Sequence, residues 1–110
     1  MRIINGPTFT RQLKQLAKRH RSLVADVLNL VADLQIDPQQ GQPIGDVAKG
    51  CYKIKLAISS KGKGKRGSAR VITCVQIEGD TIYLLSIYDK TDREDLEDGE
   101  LEQLLKQIED

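Results

Sequence analysis

The sequence is poor in the residues that build metal sites and disulfide frameworks. In 110 residues it has one histidine and two cysteines, and it has no tryptophan. Neither cysteine has a histidine or another cysteine at metal-ligand spacing, so we expect no metal site. We expect Cys51 and Cys74 to be buried, reduced thiols. No stretch matches the spacing of a nucleotide-binding P-loop, so we expect no cofactor either.

Long apolar runs are also absent. No run approaches the roughly 18 residues that a membrane span requires, and the opening residues MRIINGPTFTRQ lack the apolar core of a signal peptide. We therefore expect a cytoplasmic protein with no membrane partner. The length and a composition of 39% hydrophobic and 30% charged residues predict a single globular domain over residues 1–110.

Acidic residues are missing from the middle of the chain. No Asp or Glu lies between Val47 and Ile77, and Cys51–Arg70 alone holds seven Lys or Arg. The net charge of +1 hides this asymmetry, because residues 1–77 carry 14 basic and 4 acidic side chains whereas residues 78–110 carry 3 and 12. Surfaces that serve only solubility usually mix both signs. The basic stretch predicts a polyanionic partner, and we favour nucleic acid over an ordinary solvated sheet face.

The first third of the chain predicts a short edge strand, Met1–Asn5, and then two helices. Apolar residues recur at helical spacing on either side of Ser22, and two helices so close together predict a hairpin. Thr8 and Ser22 are the expected N-caps. Pro38 is expected to end the second helix, because proline cannot donate within a helix and disfavours helical geometry at the residue before it.

Three antiparallel strands are predicted after a Gly/Pro/Gln-rich loop at residues 39–50. They are Cys51–Ile58, Arg70–Ile77 and Thr81–Tyr88, with a tight turn between the last two. Strict alternation in the last strand places Tyr88 on the face opposite Leu85 and Ile87. Leucines near the carboxyl end predict a short amphipathic helix. The whole predicts an α+β fold with the helices on one sheet face.

The opposite sheet face would then present basic and hydroxyl side chains. Cleavage of RNA needs a base, an acid and cations that stabilise the phosphorane. The only histidine, His20, falls on the first predicted helix, where we favour a role at the edge of the core. The candidate catalytic residues are Lys53, Lys55, Arg70, Tyr88 and Lys90. Arg70 would hold the phosphate, and crowding of cations would favour proton transfer from a lysine.

A glycine-rich loop lies between the predicted strands Cys51–Ile58 and Arg70–Ile77. Glycines at positions 62, 64 and 67 allow the backbone to approach phosphate closely. We therefore predict that the loop contributes four RNA-binding side chains: Lys61, Lys63, Lys65 and Arg66.

The run CYKIKLAISSKGKGKRGSARVI, followed by YLLSIYDK and an acidic, leucine-containing segment, resembles the RelE/ParE superfamily of type II toxin–antitoxin toxins. Within it, the chain is most similar to the HigB/RelE-like branch that has a KGKGKRGG-type loop. The resemblance implies a compact fold of the microbial RNase type, with a helical hairpin packed on a small antiparallel sheet. It also implies a toxin that enters the ribosomal A site and cleaves mRNA, and a cognate antitoxin that is usually a DNA-binding protein.

Individual residues match the family by position. Lys53, Lys55 and Arg70 fall on basic residues with which RelE toxins bind and cleave RNA. The basic loop of the HigB-like branch is matched by Lys65 and Arg66, and its Tyr-x-Lys by Tyr88 and Lys90. The chain departs from the family where RelE toxins place a catalytic tyrosine, because residues 94–97 read EDLE. It also has Ser68 in place of a loop glycine and Thr73-Cys74 where an aromatic residue is common.

Three functions stay open on this evidence. The first is a ribosome-dependent mRNA endoribonuclease, which the YKIK lysines and the basic loop favour. The second is a ParE-like toxin that inhibits gyrase by binding, without chemistry of its own. The third is a catalytically inactive relative, for which the missing tyrosine is the argument. All three share one fold, so the fold alone does not separate them.

Overall fold

A mixed five-stranded sheet organises the molecule. The computed structural model describes residues 1–46, 49–61 and 68–108, and within these ranges the strand order is β1-β5-β4-β3-β2. The strands are β1 (Arg2–Asn5), β2 (Gln42–Ile44), β3 (Cys51–Leu56), β4 (Ala69–Gln76) and β5 (Thr81–Asp89). The helices are α1 (Pro7–Ala17), α2 (Leu23–Ile36) and α3 (Glu100–Lys106). The predicted α+β class is confirmed.

Helix α1 begins two residues earlier than expected. Pro7 occupies its first turn, where the missing amide costs nothing, and Gly6 is the N-cap. Gly6 also packs closely on β5, since a Cβ at this position would lie 3.0 Å from the Leu84 carbonyl oxygen. The prediction of Thr8 as N-cap is therefore wrong. Thr8 lies inside the helix, and its Oγ1 donates to Gln107 Oε1 at 2.7 Å.

Helix α2 starts and stops where the sequence indicates. Ser22 is the N-cap residue, but its hydroxyl does not bond the helix backbone. It donates instead to the Asp26 carboxylate at 2.8 Å, and Asp26 also accepts from the amide and hydroxyl of Ser59. Burial disfavours the charged Asp26, but the hydrogen bonds from Ser59 and Ser22 outweigh it and lower the pKa of this carboxyl. The cluster fastens α2 to the single 3₁₀ turn Ser59–Lys61 that follows β3.

The sheet has one more strand than predicted. The edge strand β1 is confirmed and pairs parallel with β5, so only the other four strands are antiparallel. The expected loop at residues 39–50 contains β2, which pairs with β3 through Gln42 and Lys53. A strand containing Pro43 is tolerated here because β2 is an edge strand. Its Gly/Pro/Gln composition gives no strand signal.

Helices cover both faces of the sheet. Helices α1 and α2 pack on one face over a core that includes Phe9, Leu30 and Leu34. Helix α3 packs on the opposite face through Leu101 and Leu104. The expectation that all helices share one face is wrong. The physical reason is that the second face also carries apolar side chains that must be buried: Cys51, Ile72, Cys74 and Leu85.

A β-bulge in β5 changes which side chains share a face. Ile72 pairs with Ser86 but Thr73 pairs with Leu84, so Leu85 is an extra residue in β5. The bulge resets the alternation of the strand. The predicted opposition of Leu85 and Tyr88 is wrong for this reason. The side chains on the α3 face are Tyr83, Leu85 and Tyr88.

Gln12 of α1 satisfies the backbone next to this bulge. Its Oε1 accepts from the Ile87 amide and from Ser86 Oγ, each at 2.9 Å. We expect Gln12→Ala to lower the free energy of unfolding by about 1–3 kcal/mol, because it leaves a shielded amide without an acceptor. Urea denaturation measures this. Gln15→Ala is the matched control, because Gln15 is exposed on the same helix and should change stability by less than about 0.5 kcal/mol. Equal effects of the two substitutions would contradict this role for Gln12.

The two cysteines are neighbours on adjacent strands. Cys51 and Cys74 are directly opposed in the β3–β4 register, and both are free and buried. Both thiols point to the Lys49 carbonyl oxygen, at 3.8 Å and 3.3 Å. The neighbouring Cys74 sulfur and burial raise the pKa of the Cys51 thiol. This environment keeps Cys51 protonated and a weak nucleophile.

Candidate functional site

The sheet register aligns three of the predicted site residues in one row. Lys55 of β3 is opposed to Arg70 of β4, and Arg70 is opposed to Tyr88 of β5. Directly opposed side chains in antiparallel strands lie on the same face with Cβ atoms about 4.5–5.5 Å apart. Lys53 lies two residues before Lys55 and so shares this face. The structure therefore brings together four side chains from three strands.

The row is open at one end and covered at the other. Lys55 is exposed, whereas Arg70 is only 7% exposed and Tyr88 only 5%. The Arg70 guanidinium donates to the Ala69 carbonyl oxygen at 3.1 Å. Tyr88 Oη is buried, and it has no hydrogen-bond donor or acceptor as a partner among the described residues. A buried hydroxyl without a partner is costly. Tyr88 Oη is thus a buried polar atom that the described residues leave without a hydrogen bond.

The covering element is the segment of residues 90–99 between β5 and α3, which we call the acidic strap. Its Asp95 Oδ2 accepts from Lys53 Nζ at 3.3 Å. Its Arg93 guanidinium lies over the Tyr88 ring, 4.5 Å from the centroid. Arg93 also donates two hydrogen bonds of 2.7 Å to the Glu100 carboxylate at the start of α3. The strap and the first residue of α3 thus bring three further charged groups to the row.

These three charged residues are missing from the sequence-based prediction. Arg93, Asp95 and Glu100 lie in a segment whose many charges are also typical of a solvated surface. The available signal was the close chain distance to Tyr88. Only the packing of α3 on the same sheet face shows that the strap crosses the row.

Charge and burial set the protonation of the site. Burial raises the pKa of Tyr88, and the nearby Asp95 carboxylate raises it further, against the opposing effect of Arg93 and Arg70. Tyr88 is therefore a neutral phenol at physiological pH, with a proton to donate. A hydrogen bond from the Leu96 amide lowers the pKa of Asp95 despite partial burial, and Lys53 and Arg70 lower it further. Asp95 is accordingly an anion beside the cations of the row.

A second polar cluster lies at the end of β5, around Asp89. Asp89 follows Tyr88 directly, so its side chain points to the other face of the strand. Its Oδ2 accepts from Lys61 Nζ at 2.8 Å, and His20 Nε2 lies 3.1 Å from the same oxygen. Its Oδ1 accepts from the amide and hydroxyl of Thr91 at 3.0 Å and 2.9 Å. Burial opposes ionisation, but Lys61 and Thr91 lower the pKa of Asp89 far below its usual range.

This cluster shows where two sequence candidates lie. His20 follows the end of α1 rather than belonging to the helix, and it packs on Asp89 away from Tyr88. It has the structural surroundings of a residue at the edge of the core. Lys61 is held in an ion pair with Asp89. Its predicted contact with RNA therefore requires that this pair exchange, and it stays a prediction.

The described residues at the two ends of the basic loop, Lys61 and Ser68, are both held by hydrogen bonds. Its first anchor is the ion pair of Lys61, and its second is Ser68. The Ser68 carbonyl oxygen accepts from the Lys90 amide at 2.8 Å, and Ser68 Oγ accepts from the Ile58 amide at 3.0 Å. The Lys90 side chain is exposed at the edge of the site. The predicted RNA-binding residues Lys63, Lys65 and Arg66 lie outside the described residues.

In residues 1–46, 49–61 and 68–108, no group of three or more His, Cys, Asp or Glu side chains is placed to hold a metal ion. Over the same ranges, the helices are too short or too polar to cross a membrane.

Comparison with known families decides the identity. A family model described as the RelE toxin of the RelE / RelB toxin-antitoxin system matches residues 1–109. This chain belongs to the RelE family. It is therefore a toxin of a toxin–antitoxin system, and RelE-family toxins act with a cognate antitoxin. Toxins of the RelE family are generally endoribonucleases.

Proposed function

We propose that this RelE-family toxin is a ribosome-dependent endoribonuclease that cleaves mRNA in the cytoplasm, and that it belongs to the HigB-like branch. The observation that supports this best is the row of Lys55, Arg70 and Tyr88, in which a buried guanidinium lies beside a buried phenol that has no hydrogen-bond partner among the described residues. Cations bind and polarise a phosphate, and a neutral phenol supplies a proton. These are two of the three requirements for RNA cleavage.

The arrangement supports distinct roles for the row. Arg70 offers a planar fork of donors that matches two phosphate oxygens. Lys53 and Lys55 flank it and stabilise the charge that develops on the phosphorane. Tyr88 donates its proton to the leaving 5′-oxygen. Lys90 is exposed directly after β5, and it and the basic side chains predicted for the loop would contact neighbouring phosphates.

Ribosome dependence follows from what the row lacks. Among the described residues of the row, none is a histidine or an unpaired carboxylate that would take the proton from the 2′-hydroxyl. Such a site is a weak catalyst on free RNA and gains most from a substrate held in an attack-ready geometry. The ribosomal A site would provide this geometry, with mRNA as the substrate and the cognate antitoxin, a DNA-binding protein, as inhibitor.

In vitro translation with the purified toxin tests the proposal. We expect primer extension to show new mRNA 5′ ends only when ribosomes translate the message. Lys55→Ala should reduce these ends by about 100-fold, the size of effect seen when one transition-state donor is lost, without affecting the fold, because Lys55 is exposed. Lys14→Ala removes an equal charge from an exposed position on α1. This control variant should cleave like the wild type.

Two results would contradict the proposal. Intact mRNA together with inhibition of purified gyrase would establish the ParE-like alternative. Intact mRNA, active gyrase and unaffected growth of cells that express the chain would establish an inactive relative. The burial of Arg70 and Tyr88 under the strap limits their access to RNA and is the observation that supports these alternatives, so gyrase inhibition and growth are measured in parallel with mRNA cleavage.

A further inference from the structure

We propose that Asp95 of the acidic strap is an internal competitor of the RNA phosphate: its carboxylate occupies the phosphate position beside Lys53 and Arg70, and it must leave before RNA binds. The inference rests on the proposed function and adds a regulatory element to the same site. It starts from the ion pair of 3.3 Å between Lys53 Nζ and Asp95 Oδ2. A carboxylate and a phosphate present similar anionic oxygens to lysine and arginine, so one can take the place of the other.

Of the two partners in this ion pair, Lys53 is mostly buried and Asp95 is mostly exposed, as expected if Asp95 can be displaced. The Lys53 side chain is 17% exposed, whereas that of Asp95 is 61% exposed. Lys53 is thus part of the sheet face, and Asp95 reaches it from outside. An anion held at the rim can swing into solvent without disturbing the sheet, and the lysine then faces the vacated position.

The rest of the strap covers the groups that RNA would contact. Arg93 lies over the Tyr88 ring and is held by Glu100, and Leu96 packs on the apolar cluster between the sheet and α3. RNA cannot reach the buried end of the row while these contacts persist. RNA therefore reaches the whole row only when both Asp95 and the cover have left it, and the ion pair of Asp95 opposes this opening.

Local unfolding of the strap and α3 would open the site. Helix α3 has only 7 residues, and a helix of this length depends on tertiary packing rather than on its own hydrogen bonds. Its described contacts with the sheet come mainly from Leu101 and Leu104. Short terminal elements with few buried contacts open more easily than the rest of a fold. The ion pair of Asp95 is then one of the interactions that keep the site closed.

Asp95→Asn isolates the charge. Asparagine keeps an oxygen that can accept the hydrogen bond from the Leu96 amide, which is 2.9 Å in the structure. It replaces the second carboxylate oxygen by a neutral NH2 group and so removes the negative charge. Partly exposed ion pairs change an equilibrium by at most about fivefold, and the loss of repulsion toward phosphate adds to this. We expect Asp95→Asn to bind RNA about three- to tenfold more tightly than the control.

The probe is a fluorescein-labelled single-stranded RNA with 2′-O-methyl riboses, which cannot be cleaved, and the readout is fluorescence anisotropy at one fixed salt concentration. Asp92→Asn is the matched control, because it removes the same charge from the same strap. Asp92 pairs with Arg19 outside the row, at 2.7 Å. In a Lys53→Ala background the advantage of Asp95→Asn should shrink, because the partner of the carboxylate is gone. Urea midpoints verify that every variant is folded.

The outcomes separate this inference from the proposed function. If the wild type cleaves translated mRNA but Asp95→Asn binds no more tightly than Asp92→Asn, the inference is wrong and the nuclease stands. If Asp95→Asn loses cleavage, Asp95 takes part in the reaction and is not a competitor. If Asp95→Asn binds RNA more tightly and no variant cleaves, the phosphate position is supported and the nuclease is wrong.

Discussion

Tyr88→Phe is expected to reduce cleavage of translated mRNA by at least about 100-fold, the usual contribution of a general acid, while the protein becomes no less stable. The two effects have one cause. Tyr88 Oη is buried and, among the described residues, has no hydrogen-bond partner, so the fold gains nothing from the hydroxyl. Removing a buried group that is not hydrogen-bonded is neutral or stabilising. Quantitative primer extension measures cleavage, and urea denaturation measures the free energy of unfolding.

Tyr83→Phe is the matched control for this prediction. Tyr83 lies on the same strand and the same face as Tyr88, but it is half-buried at a distance from the row. Its variant should cleave like the wild type. Full cleavage by Tyr88→Phe would eliminate Tyr88 as the acid. A loss of stability in Tyr88→Phe would show that the hydroxyl is bonded in solution.

The second large effect is expected at Asp89, and it concerns stability. The Asp89 side chain is 2% exposed and forms the only described link from β5 to both Lys61 and His20. Asp89→Asn leaves the Lys61 ammonium, itself largely buried, without its counter-charge. Breaking a buried ion pair from one side costs about 3–5 kcal/mol, so the free energy of unfolding should fall by about 3 kcal/mol. Asp92→Asn, at an exposed pair, should change it by less than about 1 kcal/mol.

The same carboxylate predicts the acid lability of the fold. The pKa of Asp89 is lowered in the folded protein, mainly because the hydrogen bonds from Lys61 and Thr91 outweigh its burial. A lowered pKa contributes stability that is present above the unfolded value, about 3.9, and is lost as the pH falls below it. The free energy of unfolding of the wild type should therefore decrease between about pH 5 and pH 2. In Asp89→Asn this decrease should be smaller, and equal slopes for the two proteins would contradict the role of Asp89.

Asp89 contributes both to the stability of the fold and to the position at which the basic loop starts relative to the row. Lys61 begins the basic loop, and Tyr88 precedes Asp89 in β5. One buried carboxylate thus fixes the origin of the loop relative to the row. We therefore expect Asp89→Asn to bind RNA more weakly as well as to be less stable, although it leaves the residues of the row unchanged.

Much of the fold could be predicted from local patterns. Alternation in β3 and β4 placed Lys53, Lys55 and Arg70 on one face, and Pro38 marked the end of α2, because these features depend on neighbouring residues alone. The bulge at Leu85 could not be predicted, since an extra residue in a strand is visible only against its partner strand. The same holds for β2, whose three residues become a strand only by pairing with β3.

The sequence by itself determined the α+β class, the basic character of the sheet face and the membership in the RelE family, because periodicity, charge and family motifs are properties of the chain. Tertiary structure alone decided that α3 and the acidic strap cover that face, that Asp95 meets Lys53, and that Asp89 joins Lys61 to His20. These contacts connect residues 28 to 69 positions apart. At such distances no local rule applies, and burial and charge select the partners only once the sheet has formed.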